Sequence, residues 1–471
     1  MPSSVSNAVT PENCDWNQMR SAASTGPPLQ NMVASSGDLP RINANFAAGF
    51  SAMIVALHPV AAPMLRPLVS FLTNEPMAAH PTIRIKGREG RRALAGAPWI
   101  FSNEIQMEAR TKALAPGTLV NVVRNDGRDL GTGYFNPKSL IAVRLLDRVP
   151  DAEIGDAFFA SHFARALARR AALFDEHYYR LVHAEGDGLP GLTVDRFGDV
   201  CVVQVTTAGM EGVIEPMLAA LDEVIAPKQV ILRNDTPSRT LEGLDLYVRA
   251  ARGEMPERVA VRENDATYFA DPASGQKTGW YYDQRDNRAF IATLANGRTA
   301  LDCYCYTGGF ALLAAQHGAS AVTAIDSSAP ALALAREAAA ANDVAQRMHL
   351  TKADVFDELE RLSKAGKTFD VVIADPPPFV KSRKDLEAGA RAYRKLARLA
   401  ASVTAANGYL LLASCSHNMP HDRFTQECAI GIARAGRHAS LIRDAGAGPD
   451  HPVHPMLPET AYLKTLVYAL D

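Results

Sequence analysis

From Asp283 to the C-terminus, short apolar runs alternate with helical stretches, which restricts this region to a parallel sheet built from βα units. Helices are expected over 285–294, 309–317, 329–342, near 355–365 and over 391–401. The runs ALDCYCY, AVTAID, MHLTKAD, DVVIADPP and YLLLASCS between and beside them read as strands. In such sheets ligands bind outside the carboxyl ends of the strands, so the residues that end each run are the ones to inspect.

The segment LDCYCYTGGFALLAAQHG (301–318) is a strand, a small-residue turn and a helix. Thr307, Gly308 and Gly309 permit close backbone approach, and Asp302 lies on the strand leading to them. A Gly-Gly turn alone is weak evidence, since glycines mark tight turns everywhere. The next strand ends in Asp326 and the third is followed by Asp354. Each acid by itself reads equally well as a helix cap. As a series after a Gly turn they read as a ribose-and-adenine site. G-x-G-x-x-G is absent, which favours S-adenosylmethionine over NAD.

DVVIADPPPFV (370–380) delivers Asp375 at a strand end, followed by three prolines and Phe379. Proline fixes backbone angles and lacks an N–H, so the loop presents its carboxylate and carbonyls in a set geometry. Such a loop can hold the polar edge of a planar base while an aromatic ring stacks on its face. Pro376, Pro377, Phe379 and Lys381 are therefore the expected substrate contacts. One strand further on, Cys415 sits between two serines in LLLASCSHN. Carbon 5 of a pyrimidine is a poor nucleophile until a thiolate adds at carbon 6, and thiolate is the strongest side-chain nucleophile near neutral pH. Cysteine is more often an inert packed residue; its place at a strand tip beside Asp375 points instead to catalysis.

Taken together, TGWYYDQRDNR (278–288), CYCYTGGF, AIDSS, DPPPFVKSRKD and SCS resemble the bacterial 23S ribosomal RNA cytosine-5 methyltransferases of the RlmI type. The resemblance runs from about residue 82 to the end. It includes IKGREGRRALAGAPWIFSNEI, which looks like that family's PUA domain, and EGDGLPGLTVDRFG, which is similar to its linking domain. It implies an α/β protein: a Rossmann-like class I methyltransferase domain over 263–471, a small PUA-like β-barrel over 82–153 and an α+β linking domain over 154–262. It also implies cofactor contacts at Tyr282, Asp283, Gln284, Arg285, Tyr306, Thr307, Gly308, Gly309, Phe310, Asp326, Ser327, Asp354 and Asp375. Arg285 is a sensible partner for the cofactor's carboxylate. By resemblance Cys415 is the nucleophile and Asp375 steadies the base. Pro378 departs from the family pattern, and the Asp-Pro-Pro loop carries no cysteine of its own.

At 471 residues the chain is long enough for about three domains. Residues 1–76 differ in composition and are expected to be a disordered leader, with translation starting at Met77. The apolar run at 46–58 is too short to span a membrane before Pro59, Pro63 and Pro67, and it begins far from Met1 without a basic n-region, so neither a membrane helix nor a signal peptide is expected. Six cysteines without C-x-x-C pairs or metal-ligand spacing fit a reducing cytoplasm and no metal. The formal net charge of −2 gives no global footprint for RNA. Contact must come from patches: Arg84, Lys86, Arg88, Arg91 and Arg92 in the first domain, and Lys381, Arg383, Lys384, Arg391, Arg394, Lys395 and Arg398 after the proline loop. A homodimer is left open. Two rivals remain: methylation of a guanine ring nitrogen or an exocyclic amine, neither of which needs Cys415, and an RNA-binding module without turnover.

Overall fold

The computed structural model describes residues 79–471, Arg88 excepted. The leader expected over 1–76 and Arg88 of the first basic patch lie outside the described residues. Among those described, no helix is long and apolar enough to cross a membrane.

Three sheets and a hairpin follow one another along the chain. The first sheet contains β1 (Thr82–Arg84), β2 (Trp99–Ile100), β3 (Thr118–Val123), β4 (Asp129–Phe135) and β5 (Val143–Asp147), in the order β1-β3-β4-β5-β2. This sheet is antiparallel except at its edge, where β1 pairs with β3 in parallel. A central sheet has the order β10-β9-β8-β7-β6, with β6 (Tyr178–His183), β7 (Leu192–Phe197), β8 (Val200–Val205), β9 (Gln229–Asn234) and β10 (Tyr247–Arg252). The helices Asp156–Ala171 and Ile214–Val224 pack on it through Phe159, Phe163, Met217 and Leu221. The hairpin β11 (Val259–Glu263) and β12 (Ala266–Ala270) leads into the last region.

There a seven-stranded sheet has the order β15-β14-β13-β16-β17-β19-β18. Its members are β13 (Thr299–Cys303), β14 (Ala321–Asp326), β15 (Met348–Lys352), β16 (Phe369–Ala374), β17 (Thr404–Ser414), β18 (Ala439–Ala445) and β19 (Lys464–Leu470). The first five pair in parallel and the final hairpin is antiparallel. The central strands are continuous apolar runs because helices cover both faces; Val371, Val372, Ile373 and Ala374 are all fully buried. Chain order reverses between β13 and β16, which opens a crevice at their carboxyl ends.

The central sheet is joined to the last region by buried charge. Arg170 donates to both oxygens of Asp187 (2.7 and 2.8 Å) and to the carbonyl of Asp450 (2.8 Å). Asp187 belongs to the DGLPGL turn, so that segment is turn chemistry serving an ion pair. Removing one partner strands a buried charge, which costs about 3–5 kcal/mol. Arg170→Ala is expected to lower the unfolding free energy by that amount, read from the urea midpoint.

Candidate active site

The carboxyl ends of β13, β14, β16 and β17 converge on one cavity of about 190 Å³. β13 runs into a turn where Tyr304 and Tyr306 both take the left-handed conformation (φ 62° and 50°). Gly308 follows at φ 83°, and Gly309 opens an apolar, buried helix, Gly309–Gln316. A Cβ at Gly309 would press on Arg288 and Trp280 at 3.1–3.3 Å, so glycine leaves room in the wall. Non-glycine residues held at positive φ cluster at functional sites. Asp326 fixes the turn: its Oδ2 accepts from Tyr306 N at 2.9 Å and its Oδ1 from Ser328 N at 2.8 Å.

Of the residues expected from the sequence, Gln284, Tyr306, Thr307, Gly309, Phe310, Asp326, Ser327, Asp375, Pro376, Pro377 and Cys415 line this cavity, and so does Asp283. The others do not, and each has a physical reason. Arg285 turns away: its guanidinium packs on Phe174 (4.5 Å) and donates to the Tyr178 carbonyl, tying the helix Arg285–Ala295 to the central sheet. The cavity's arginine is Arg288, one turn later, held by Glu263 (2.6 Å) and the Tyr281 carbonyl (2.7 Å). Tyr282 is buried with its hydroxyl on the Arg196 carbonyl, and its neighbour Tyr281 takes the wall position. Asp302 lies beneath the turn, accepting from Ala311 N, and burial pushes its carboxyl up to about 8. Gly308 backs onto Ala335. Asp354 caps the helix Val355–Lys364, accepting from Asp357 N. Phe379 packs against Tyr393 and Phe356, and Lys381 is exposed beyond the rim.

The wall also contains Pro378, and with it Gln276, Lys277, Trp280, Tyr304, Cys305 and Leu463, none of which the sequence singles out as a contact. TGWYYDQRDNR stops one residue short of Lys277. Tyr462 and Leu463 arrive from the C-terminal loop, far away in sequence; the Tyr462 hydroxyl donates to Asp283 Oδ2 at 2.5 Å. Burial alone would raise Asp283, but Lys277, His451, the Tyr462 hydroxyl and Arg180 hold it well below the usual carboxylate range. Asp375 behaves oppositely. Enclosure and the charge of Asp283 push it up to about 6, against the opposing pull of Gln284, whose Nε2 donates to its Oδ2 at 2.9 Å. Burial pushes the Cys415 thiol up to about 11, with Lys277 pulling it down and Asp375 and Asp283 adding to the rise.

Two buried polar atoms, Asp283 Oδ1 and Thr307 Oγ1, have no protein partner, although both residues line the cavity. Buried polar atoms are normally satisfied. Their presence beside a strand-tip acid, a helix N-terminus and aromatic rings fits a ligand with an adenosine and a charged amino-acid end.

Comparisons with known proteins agree. A family profile described as S-adenosylmethionine-dependent methyltransferase matches residues 245–466, and one described as a PUA-like domain matches residues 83–148. Ribosomal RNA large subunit methyltransferase I of Shewanella amazonensis is 39% identical over 82% of this chain and 99% of its own length. The chain belongs to this methyltransferase family. The relative of the same name from Pseudoalteromonas atlantica is 36% identical over 81% of this chain and 97% of its own. A solved Streptococcus mutans chain, titled as a candidate SAM-dependent methyltransferase, shares the fold with a TM-score of 0.70 at 21% identity, over 83% of this chain and all of its own. The cofactor of the family is S-adenosylmethionine, and the Rossmann-like sheet with a preceding PUA-like domain agrees with the expected fold class.

Proposed function

We propose that the chain methylates carbon 5 of a cytosine in 23S ribosomal RNA, with Cys415 as the attacking nucleophile. The observation that carries this reading is the sharing of one cavity by a partly exposed thiol, Cys415, and a carboxyl raised toward neutrality, Asp375. The name shared by the relatives, large-subunit ribosomal RNA methyltransferase, supports RNA as substrate. Three segments divide the work: the PUA-like domain 82–153, the linking domain 154–262 and the catalytic domain 263–471.

S-Adenosylmethionine supplies, when bound, an electrophilic methyl group on a positively charged sulfur. Asp326 is placed to accept from ribose hydroxyls, and Thr307 and Asp283 offer free polar atoms for the remainder of the molecule. Asp375 in its protonated form donates to ring nitrogen 3 of the cytosine, withdrawing electrons from carbon 6. The Cys415 thiolate adds there, and the displaced electron pair makes carbon 5 nucleophilic. After methylation, loss of the carbon 5 proton and expulsion of the thiolate restore the ring. A ring-nitrogen or amine methyltransferase would use the base's own lone pair and leave Cys415 without a role.

RNA contact is assigned to the exposed cations beside the proline loop. Lys381, Arg383, Lys384 and Arg391 are exposed, with no ion pair among the described residues. Arg394 and Lys395 of the expected patch are engaged with Glu427 and Glu360, and in the first domain Arg92 is engaged with Glu459. The test is mass spectrometry of nucleosides from 23S ribosomal RNA incubated with enzyme and labelled cofactor. Labelled 5-methylcytosine supports the reading; label in guanine or on an exocyclic amine overturns it.

A further inference from the structure

Cys415 needs a cation to act as a thiolate, and the cavity offers two. Arg288 is spent on Glu263 and the Tyr281 carbonyl. Lys277 is the other. Its Nζ lies over the rings of Tyr281 (4.4 Å) and Tyr462 (5.6 Å) and is only loosely paired, 3.7 Å from Asp283 Oδ2.

The chain goes to some trouble to hold it there. Lys277 itself is in the left-handed region (φ 50°), an unfavourable place for a side-chain-bearing residue. Both flanks are locked: Arg233 donates to the carbonyls of Pro272 and Gly275, Gln276 N donates to the Tyr306 hydroxyl, and the Thr278 hydroxyl donates to buried Asp195. A lysine wanted only for solubility needs no such frame. The linking domain, through Arg233 and Asp195, therefore sets where this ammonium group stands.

We propose that Lys277 is the counter-ion of the Cys415 thiolate, a positioning and activating residue supplied by the loop that precedes TGWYYDQRDNR. This rests on the reading of Cys415 as nucleophile. On ionisation the thiol proton passes to solvent through the open side of the cavity, and Lys277 acts through its charge alone. The other groups facing the thiol are Asp375 and Asp283, which oppose ionisation, the hydroxyls of Tyr281, Tyr393 and Tyr462, and Lys464. Lys464 is directed behind the strand tip, where its Nζ donates to the Ser416 carbonyl at 2.9 Å, and it does not line the cavity. Of the two lysines whose charge acts on the thiol, Lys277 is the one that lines the cavity with it.

The test is the rate of iodoacetamide alkylation of Cys415 from pH 6 to 10, followed on its proteolytic peptide by mass spectrometry in the full chain. An opposite charge within reach shifts a titration by about one unit or more. Lys277→Gln is expected to slow alkylation about tenfold throughout this range, which lies below the thiol's midpoint, whereas Lys277→Arg keeps the wild-type profile. An unchanged profile in Lys277→Gln, or an Arg variant that behaves like the Gln variant, overturns the proposal. The assay reads the thiol and not methyl transfer. A failure of the nucleophile itself would show elsewhere, as methylation that survives loss of Cys415.

Discussion

Cys415→Ala is expected to abolish methyl transfer to RNA, by about 10⁴-fold or more, while leaving S-adenosylhomocysteine affinity within a few-fold of wild type. The expectation follows from the electronic demand of carbon 5, which needs an electron pair pushed in at carbon 6 before it can be methylated. Of the cysteines described, 201, 303, 305 and 428 are buried and Cys415 alone is partly exposed. Cys305 touches the cavity, but burial raises its thiol strongly and it stands in the turn after β13. Removing the Cys415 sulfur also deletes nothing from the cofactor side of the wall, since Asp326, Thr307 and the glycine turn come from other strands. Calorimetry with S-adenosylhomocysteine, alongside transfer of labelled methyl, separates the two effects. Transfer that persists in the alanine variant would mean a base with its own lone pair.

Asp375→Asn is expected to lower kcat/KM by about 10²- to 10⁴-fold and to change the shape of the pH profile. The productive free enzyme carries a protonated Asp375 and an ionised Cys415. Below about pH 6 Asp375 is already protonated, and activity climbs tenfold per pH unit as thiolate accumulates. Above about 6 the protonated fraction of Asp375 falls as fast as thiolate rises, so the profile is flat up to about 11, where the thiol finishes titrating. Asparagine cannot lose a proton in this range. The variant is therefore expected to lose the break near pH 6 and keep rising through neutrality. A break retained near 6 would assign it to another group.

Much of this site is local in sequence, which is why it was legible there. A strand, its tip and the loop that follows are contiguous, so Thr307, Gly309, Asp326, Asp375 and Cys415 could be named from strand ends alone, and all reach one cavity. Choices that depend on which side of an element faces inward were not legible. Arg285 and Arg288 lie three residues apart on one helix, and only packing against Phe174 and Tyr178 of the central region decides that Arg288 faces the cavity. Tyr281 and Tyr282 are exchanged for the same reason. Asp354 shows the limit of the strand-tip argument: an acid that can cap a helix does so when the neighbouring edge strand, β15, stands too far from the crevice to bring it in. Phe379 follows the rigid prolines, but its ring finds Tyr393 and Phe356 and joins the core instead of the cavity. Lys277 and Tyr462 come from loops without periodicity, and no spacing rule reaches them.

The most direct test of the nucleophile uses RNA in which the cytosines carry fluorine at carbon 5. After thiolate addition and methylation there is no proton at carbon 5 to lose, so the base cannot be expelled and stays on the protein. Incubation with S-adenosylmethionine, followed by nuclease and protease digestion and mass spectrometry, locates the bond. The expected result is a methylated fluorocytidine fragment on the peptide containing Cys415, formed only when the cofactor is present. Ordinary RNA methylated under the same conditions, with no adduct from the fluorinated RNA or with an adduct on another residue, would contradict the assignment of Cys415.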